Sequence, residues 1–310
     1  MSLLLVVVLG FIFNADGAFL KWATHRDMLR QISVFGILSC GMTLVIIAGG
    51  IDLSVGSILG LTAVLFSIFS IRWGWSPVLA VAATLGAGAI CGGCSGALIA
   101  RFKIQPFIAT LAMMVFARGL AKLVSGGQKI STALQMPDGS YQYVEVPPVF
   151  NLIGSRVLGG EIAVVTIVLG ICLLVCWFVL SKTTGGRYLY AIGGSEETAW
   201  LAGVPVGMIK VLAYAASGLF CAIAGICQAA QELQGDPEAG NTYELSAIAI
   251  VVIGGTSLRG GSGNIWLTAL GILTIGYLEK VLSINAVGEE SRLMLTGVII
   301  IAAVLFQKNK

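Results

Sequence analysis

Long apolar runs, most of them of bilayer length and repeated along nearly the whole chain, constrain this sequence more than any short motif in it. They cover residues 33–50, 55–71, 78–100, 106–124, 161–180, 207–230, 243–253, 265–284 and 292–306, with polar connectors between them. A helix of about 20 apolar residues crosses the hydrocarbon core. A soluble domain carries about 25% charged residues. This chain carries 11%, against 57% hydrophobic, so it lacks the polar surface to cover itself in water. The expected fold is therefore an all-α integral membrane protein. It is a single polytopic bundle over residues 1–310, with about ten transmembrane helices if the short run 2–13 also crosses.

The break inside residues 41–66 organises the first half. Two apolar runs meet there at Gly49-Gly50-Ile51-Asp52-Leu53-Ser54-Val55-Gly56. A glycine pair ends a helix cheaply because it tolerates positive φ. Asp52 or Ser54 is placed to accept hydrogen bonds from the first free N–H groups of the next helix. A lone aspartate between two apolar runs belongs near water or inside protein. We read the whole as a capped cytosolic hairpin, a structural motif rather than a ligand site. Val45 to Ser57 is echoed by Val251 to Ser262, each an apolar run, a double glycine, a short polar turn and a new apolar helix. Transporters are often built from such repeats, although two glycine-rich hairpins also match by chance.

Elsewhere the residues read as membrane packing. Gly88, Gly92 and Gly96 recur every four residues, which puts them on one helix face as a groove for another helix. The seven cysteines all lie in apolar runs; even Cys91 and Cys94, at C-x-x-C spacing, lack flanking polar ligands and read as small packing residues. Residues 21–31 suit a short amphipathic interfacial segment. The only histidine, His25, falls there as a solvated residue with no second histidine for a metal site. Residues 72–77 form a tight connector with tryptophans at headgroup level. Arg118, within reach of the end of its run, is expected to snorkel. The long connector 125–160 would suit partner docking. Arg101/Lys103, Lys182/Arg187 and the Lys308/Lys310 tail favour both termini in the cytosol, whereas Arg72 and the basic residues of 21–30 do not.

Little in the chain could do chemistry. No G-x-x-x-x-G-K-[ST], G-x-S-x-G or H-E-x-x-H occurs, and no catalytic or metal-binding residues are assigned. A net charge of +3 gives no reason to expect nucleic acid. Asp52, Glu161, Glu244, Glu279 and Lys280 all fall near span ends, which argues against ion coupling and toward energy supplied by another subunit. The connector 182–206 is where such a subunit could push. Ser195 caps a short helix, Glu196 and Glu197 complement its positive end, and Gly203 stops it.

Several motifs then align with one family. GMTLVIIAGGIDLSVGS at 41–57, Phe107 to Leu111, Arg118-Gly119, Gly185 to Ala191, Ala239 to Leu245 and Ala247 to Gly263 resemble the permease subunits of ribose-type (ribose/galactose/xylose-like) ABC importers, the binding-protein-dependent inner-membrane component family. The likeness covers residues 33–306, with 125–160 and 278–290 least similar. It implies that the run 2–13 is a shortened first span and not a signal peptide, for which a preceding Lys or Arg is also missing. It implies a coupling helix seated in an ATPase cleft, carried by Gly193, Gly194, Ser195, Glu196, Glu197, Thr198, Leu201 and Gly203. Ser195 stands where the family usually has Asn, Trp200 where a basic residue is common, and Ser246 where Asp is usual. The hairpin motif is Gly49, Gly50, Asp52, Ser54 and Gly56; substrate-binding residues are not identified. The resemblance further implies ATP and Mg held by partner ATPase subunits rather than this chain. An extracytoplasmic sugar-binding protein, a second permease copy or paralogue and membrane lipid complete the set. Rival readings are a related ABC permease for nucleosides, branched-chain amino acids or a signalling sugar, an ion-coupled secondary transporter, and a membrane enzyme.

Overall fold

The computed structural model describes residues 2–135, 140–288, 290–292, 294–295 and 297–298. Its helices are α1 (Ser2–Ile12), α2 (Trp22–Ile47), α3 (Val55–Ser67, continued by one π turn to Arg72), α4 (Pro77–Phe102), α5 (Pro106–Ser125), α6 (Pro148–Gly154), α7 (Val164–Lys182), α8 (Thr184–Gly194), α9 (Glu196–Leu201), α10 (Val206–Glu232), α11 (Tyr243–Ile253) and α12 (Ile265–Ile284). Seven of them, α2 to α5, α7, α10 and α12, are long and apolar enough to cross a membrane. Two shorter apolar helices, α1 and α11, accompany them. Most of the expected last run, 292–306, lies outside the described residues. Side chains such as Val78, Ile90, Val115 and Leu123 stand exposed on α4 and α5, as lipid-facing residues do. The chain is a multi-pass membrane protein.

Among the described residues, one compact unit holds those up to Gly50, Val157–Val206 and those that follow Glu244. In it α2 packs against α7 and α12, and α12 against α1. Gly36 lies against Leu169 and Ile272, and Gly276 against Met28 and Ile32. The Thr43 and Thr268 hydroxyls meet at 3.0 Å, and Ser33 Oγ donates to Thr166 Oγ1 at 3.1 Å. These polar pairs let two apolar helices fix their register, since a hydroxyl in lipid-like surroundings needs a partner. The interfacial segment expected at 21–31 is instead the first part of α2. Nothing in it stops a helix, and its inward side carries Met28, which is buried. Arg26 pairs with Glu161 at 3.2 Å, and Trp22 Nε1 also donates to that carboxylate. His25 is correspondingly not a solvated residue. Its ring packs edge-on against Phe19 at 5.4 Å and Tyr277 at 5.7 Å.

The other unit comprises Ile51–Arg156 and Gly207–Glu244. Here the glycine stripe of α4 meets α10. A Cβ on Gly88, Gly92 or Gly96 would strike Gly218, Tyr214 or Val211, so the two backbones are in contact along three turns. α3 packs between α4 and α5 and is almost wholly buried. Phe66 stacks on Phe150 of α6 at 4.9 Å, and Phe69, within the π turn, stacks on Trp75 at 4.5 Å. The long connector contributes Ile130–Ser131, which pairs antiparallel with Gln234–Gly235 just past α10. From that ladder the chain does not leave the bundle. It runs back along α3 in non-helical form, Gly235 against Ala63 and Val64, Ala239 against Gly60, and Gly240 against Gly56. Arg118 does not snorkel. Its guanidinium turns inward and donates to the carbonyls of Pro237 and, at 2.8 Å, Ala239. Backbone carbonyls left over by a non-helical segment outcompete a distant headgroup as partners for a half-buried arginine.

Candidate functional site

The connector 182–206 holds two helices rather than the single one expected. Thr183 accepts from Gly186 N at 3.1 Å and caps α8, while Ser195 accepts from Thr198 N at 3.2 Å and caps α9. Ser195 itself is extended (φ −163°, ψ 111°), so the helix restarts there instead of continuing. Its hydroxyl also donates to Thr198 Oγ1 at 2.9 Å. Glu196 and Glu197 occupy the first turn of α9, where the positive helix end favours them. Gly203, at φ +84°, closes the turn: its N–H reaches Trp200 O and the next N–H reaches Ala199 O. Trp200 and Leu201 project outward, 67% and 72% exposed.

The inner end of α8 sits in a junction built largely from backbone. α2 ends through Gly49 at φ +80°, with Gly49 N bonded to Ile46 O and Gly50 N to Val45 O. α11 ends through Gly255 at φ +99°, with Gly255 N bonded to Val252 O and Thr256 N to Val251 O. The two terminations carry the same pair of bonds, the Schellman pattern. The echo seen in the sequence is thus a structural repeat of helix endings, aligned Gly49 with Gly255 rather than double glycine on double glycine. The two endings are tied together because Gly261 N donates to Ile47 O at 2.9 Å. Gly193 of α8 is wedged into that tie. A Cβ there would overlap both the Ile47 carbonyl and the Gly261 nitrogen, whereas one on the neighbouring Gly194 would meet nothing. Tyr190 OH donates to Gly263 O at 2.9 Å and fastens α8 to the same loop.

The remaining hairpin residues lie in the other unit, and they form a buried turn whose side chains do not cap α3 as expected. Asp52 is fully buried. Its Oδ1 accepts from Ser54 N at 3.0 Å and from Ser54 Oγ, and its Oδ2 accepts from Ser217 Oγ of α10 at 2.7 Å. Ser54 makes no side-chain cap on α3; its hydroxyl goes to Asp52 instead, so the carboxylate gathers donors from two helices. Ile51 O accepts from Thr110 Oγ1 at 3.3 Å and Tyr214 OH at 3.4 Å. Gly56 lies under the Gly240 carbonyl.

Sequence reasoning missed the segment 234–244 and its clamp. A charged residue two turns inside an apolar run (Arg118) was the available signal, together with Gly235, Pro237 and Gly240 between two runs. Ion pairs hold its outer part, Lys122 with Glu238 at 2.6 Å and Lys129 with Asp236 at 3.0 Å. The Asp236 carboxylate, by accepting that hydrogen bond and by its charge, raises Lys129 above the usual lysine value. Among the described residues no three His, Cys, Asp or Glu side chains come together as metal ligands.

Comparison with known proteins adds the family. The chain matches the family model described as branched-chain amino acid transport system / permease component over residues 26–304. It is 38% identical to the ribose import permease protein RbsC of Escherichia coli K12 over 309 residues, 99% of this chain and 92% of that protein. It is 39% identical to RbsC of Bacillus subtilis over 311 residues, 100% and 92% of the two chains. The fructose import permease protein FrcC of Rhizobium meliloti is 37% identical over 308 residues, 97% and 83%. No solved structure matches the chain. With the family model matching residues 26–304 and likeness to these permeases running nearly end to end, the chain belongs to this family of transport-system permease components.

Proposed function

We propose that this chain is the membrane subunit of an ATP-driven importer of a monosaccharide, fed by an extracytoplasmic binding protein and paired with a second permease copy or a close paralogue. The sugar-import names of its relatives at 36–39% identity support the substrate class. One observation carries the mechanism. The α8–α9 connector offers an outward face with Trp200 and Leu201, and its inner end is locked by Gly193 onto the endings of α2 and α11. A displacement of that face reaches the long helix α2 and the shorter α11 through contacts that cannot compress. In this reading separate ATPase subunits bind ATP and Mg, close, and drive the connector inward. The spans then open a path on the other side, and sugar binding biases the equilibrium only by its differential affinity for the two states.

The test reconstitutes the chain in proteoliposomes with its ATPase and binding protein. Uptake should require all three and ATP. Glu196→Lys with Gly203→Pro should leave the protein folded while separating ATP hydrolysis from uptake. A cysteine at Ser195 should react only with thiol reagent on the ATPase side. Uptake by this chain alone under an ion gradient would overturn the reading, as would labelling of position 195 from the opposite face.

A further inference from the structure

Asp52 sets the depth at which α3 begins. Its partner Ser217 lies about 16 Å along α10 from Val206, at 1.5 Å per residue, close to the middle of a span of 27 residues. The segment after α10 retraces α3 from Ser67 to Gly56, so by Gly240 the backbone has descended to that same mid-depth. α11, of 11 residues, then starts there and has only half a span's length. α3 and α11 therefore both begin partway along α10 rather than level with its end, which in a bilayer would put their starts below its surface. Non-helical backbone at such depth is tolerated only where protein buries it or where it lines water. Gly235, Pro237 and Gly240 are buried, but Asn241 and Thr242 are exposed. An exposed amide and hydroxyl at mid-depth need water, not lipid, beside them.

We propose that Asn241 and Thr242 form the hydrogen-bonding face over which this permease passes its polyhydroxyl substrate, and that Arg118 is the residue that positions them. The substrate part rests on the transport reading above. The Thr242 hydroxyl donates to Asn241 O at 2.6 Å and so offers its lone pairs, while Asn241 offers Oδ1 and its second Nδ2 hydrogen. Together they accept and donate without net charge, which suits a neutral sugar. The neighbouring carboxylate does not spoil that neutrality. Glu238 is paired with Lys122 and accepts from Asn241 Nδ2 at 3.1 Å, so it orients the amide. Thr242 holds φ +66°, a left-handed value unusual for a β-branched residue. Strain of that kind persists only where the surroundings impose it. The two Arg118 bonds to Pro237 and Ala239 carbonyls supply the constraint from α5.

Cysteine accessibility tests the placement without any sugar. Cys94 is the native cysteine that is exposed, so Asn241→Cys is made in a Cys94→Ser background within the complete transporter complex. A charged, membrane-impermeant methanethiosulfonate should react with it. The rate should change at least about fivefold between nucleotide-free and ATP–vanadate-arrested complexes. Arg118→Ala should abolish that state dependence and Arg118→Lys should restore part of it. Reaction with a lipophilic maleimide only would put the face in lipid and overturn the proposal, as would a rate equal in both states. Thr242→Val removes the hydroxyl at nearly constant shape. With D-ribose, D-fructose and L-arabinose as probes, it should lower uptake of the carried sugar about tenfold, with ATP hydrolysis within about twofold of wild type. Unchanged uptake overturns the substrate role. A wild-type complex that carries none of the three counts against the transport reading and the substrate role together, while the labelling result still decides the placement.

Discussion

Two of the places where helices are interrupted in this apolar body are held in opposite ways. At the junction under α8, Gly193, Gly261 and the end of α2 touch backbone to backbone. Along residues 234–244 the backbone is held by side chains reaching from neighbouring elements, Arg118 and Lys122 of α5 and Lys129 beyond it. A glycine contact has no rotamer to change, so it transmits displacement stiffly. The exposed ion pairs can break and re-form at small cost, so the outer part of the second region can shift while Arg118 holds its inner part. Stiffness suits a part that is pushed, and adjustability suits a part that meets a substrate.

The sharpest way to break this contrast is at Gly193. Gly193→Ala drives a methyl into the Ile47 carbonyl and the Gly261 nitrogen, both backbone and neither able to retreat alone. It should cost about 3 kcal/mol, the upper range for overpacking. That loss should appear as a lowered Tm in detergent and in lost uptake. Gly194→Ala, with open space around it, should stay within about 0.5 kcal/mol of wild type. Equal effects from the two substitutions would mean that the junction yields.

Next in size is the buried carboxylate at the start of α3. Asp52→Ala leaves Ser54 N–H and the hydroxyls of Ser54 and Ser217 without their acceptor in a buried site, a loss of about 2 kcal/mol. Asp52→Asn keeps one carbonyl acceptor and should lose less, so the difference between the two variants measures how far this end depends on side chains. A smaller effect is expected on α9. Ser195→Ala removes the cap to Thr198 N, about 1 kcal/mol of local helix stability. It should speed hydrogen exchange at Thr198 while leaving the global Tm unmoved. Ser195→Asn, which keeps a capping oxygen, should restore protection.

Much of the scaffold was legible before any coordinates. Gly49-Gly50 and Gly254-Gly255 marked the two helix endings because glycine alone enters positive φ freely. Gly88, Gly92 and Gly96 marked the groove that α10 fills, because four-residue spacing fixes a face whatever the partner. What stayed hidden depended on partners far along the chain. Whether Arg118 turns outward or inward is decided by two carbonyls about 120 residues later. Trp22 to Gln31 has the composition of an interfacial segment, and only Glu161 and the packing of Met28 make it part of a span. Ser195 was readable as a cap, but the second cap at Thr183, which splits the connector into two helices, competed with a glycine-rich run that disguised α8.

The smallest expected effect probes the adjustable region at its outer rim. Lys129 and Asp236 flank the two-residue ladder formed by Ile130–Ser131 and Gln234–Gly235. Folding raises the Lys129 value, so its contribution is complete below the ordinary lysine value and is lost only as pH rises through the raised one. Stability should therefore be flat, as far as this pair is concerned, from about pH 6 to about pH 9. Lys129→Gln should leave Tm close to wild type throughout that range, because an exposed pair is screened by water and salt. It should instead speed hydrogen exchange at the amides of Ile130 and Ser131, and added salt should do the same in the wild type. A large Tm loss would mean that this rim is as stiff as the glycine junction. The division between a part that transmits and a part that adapts would then fall.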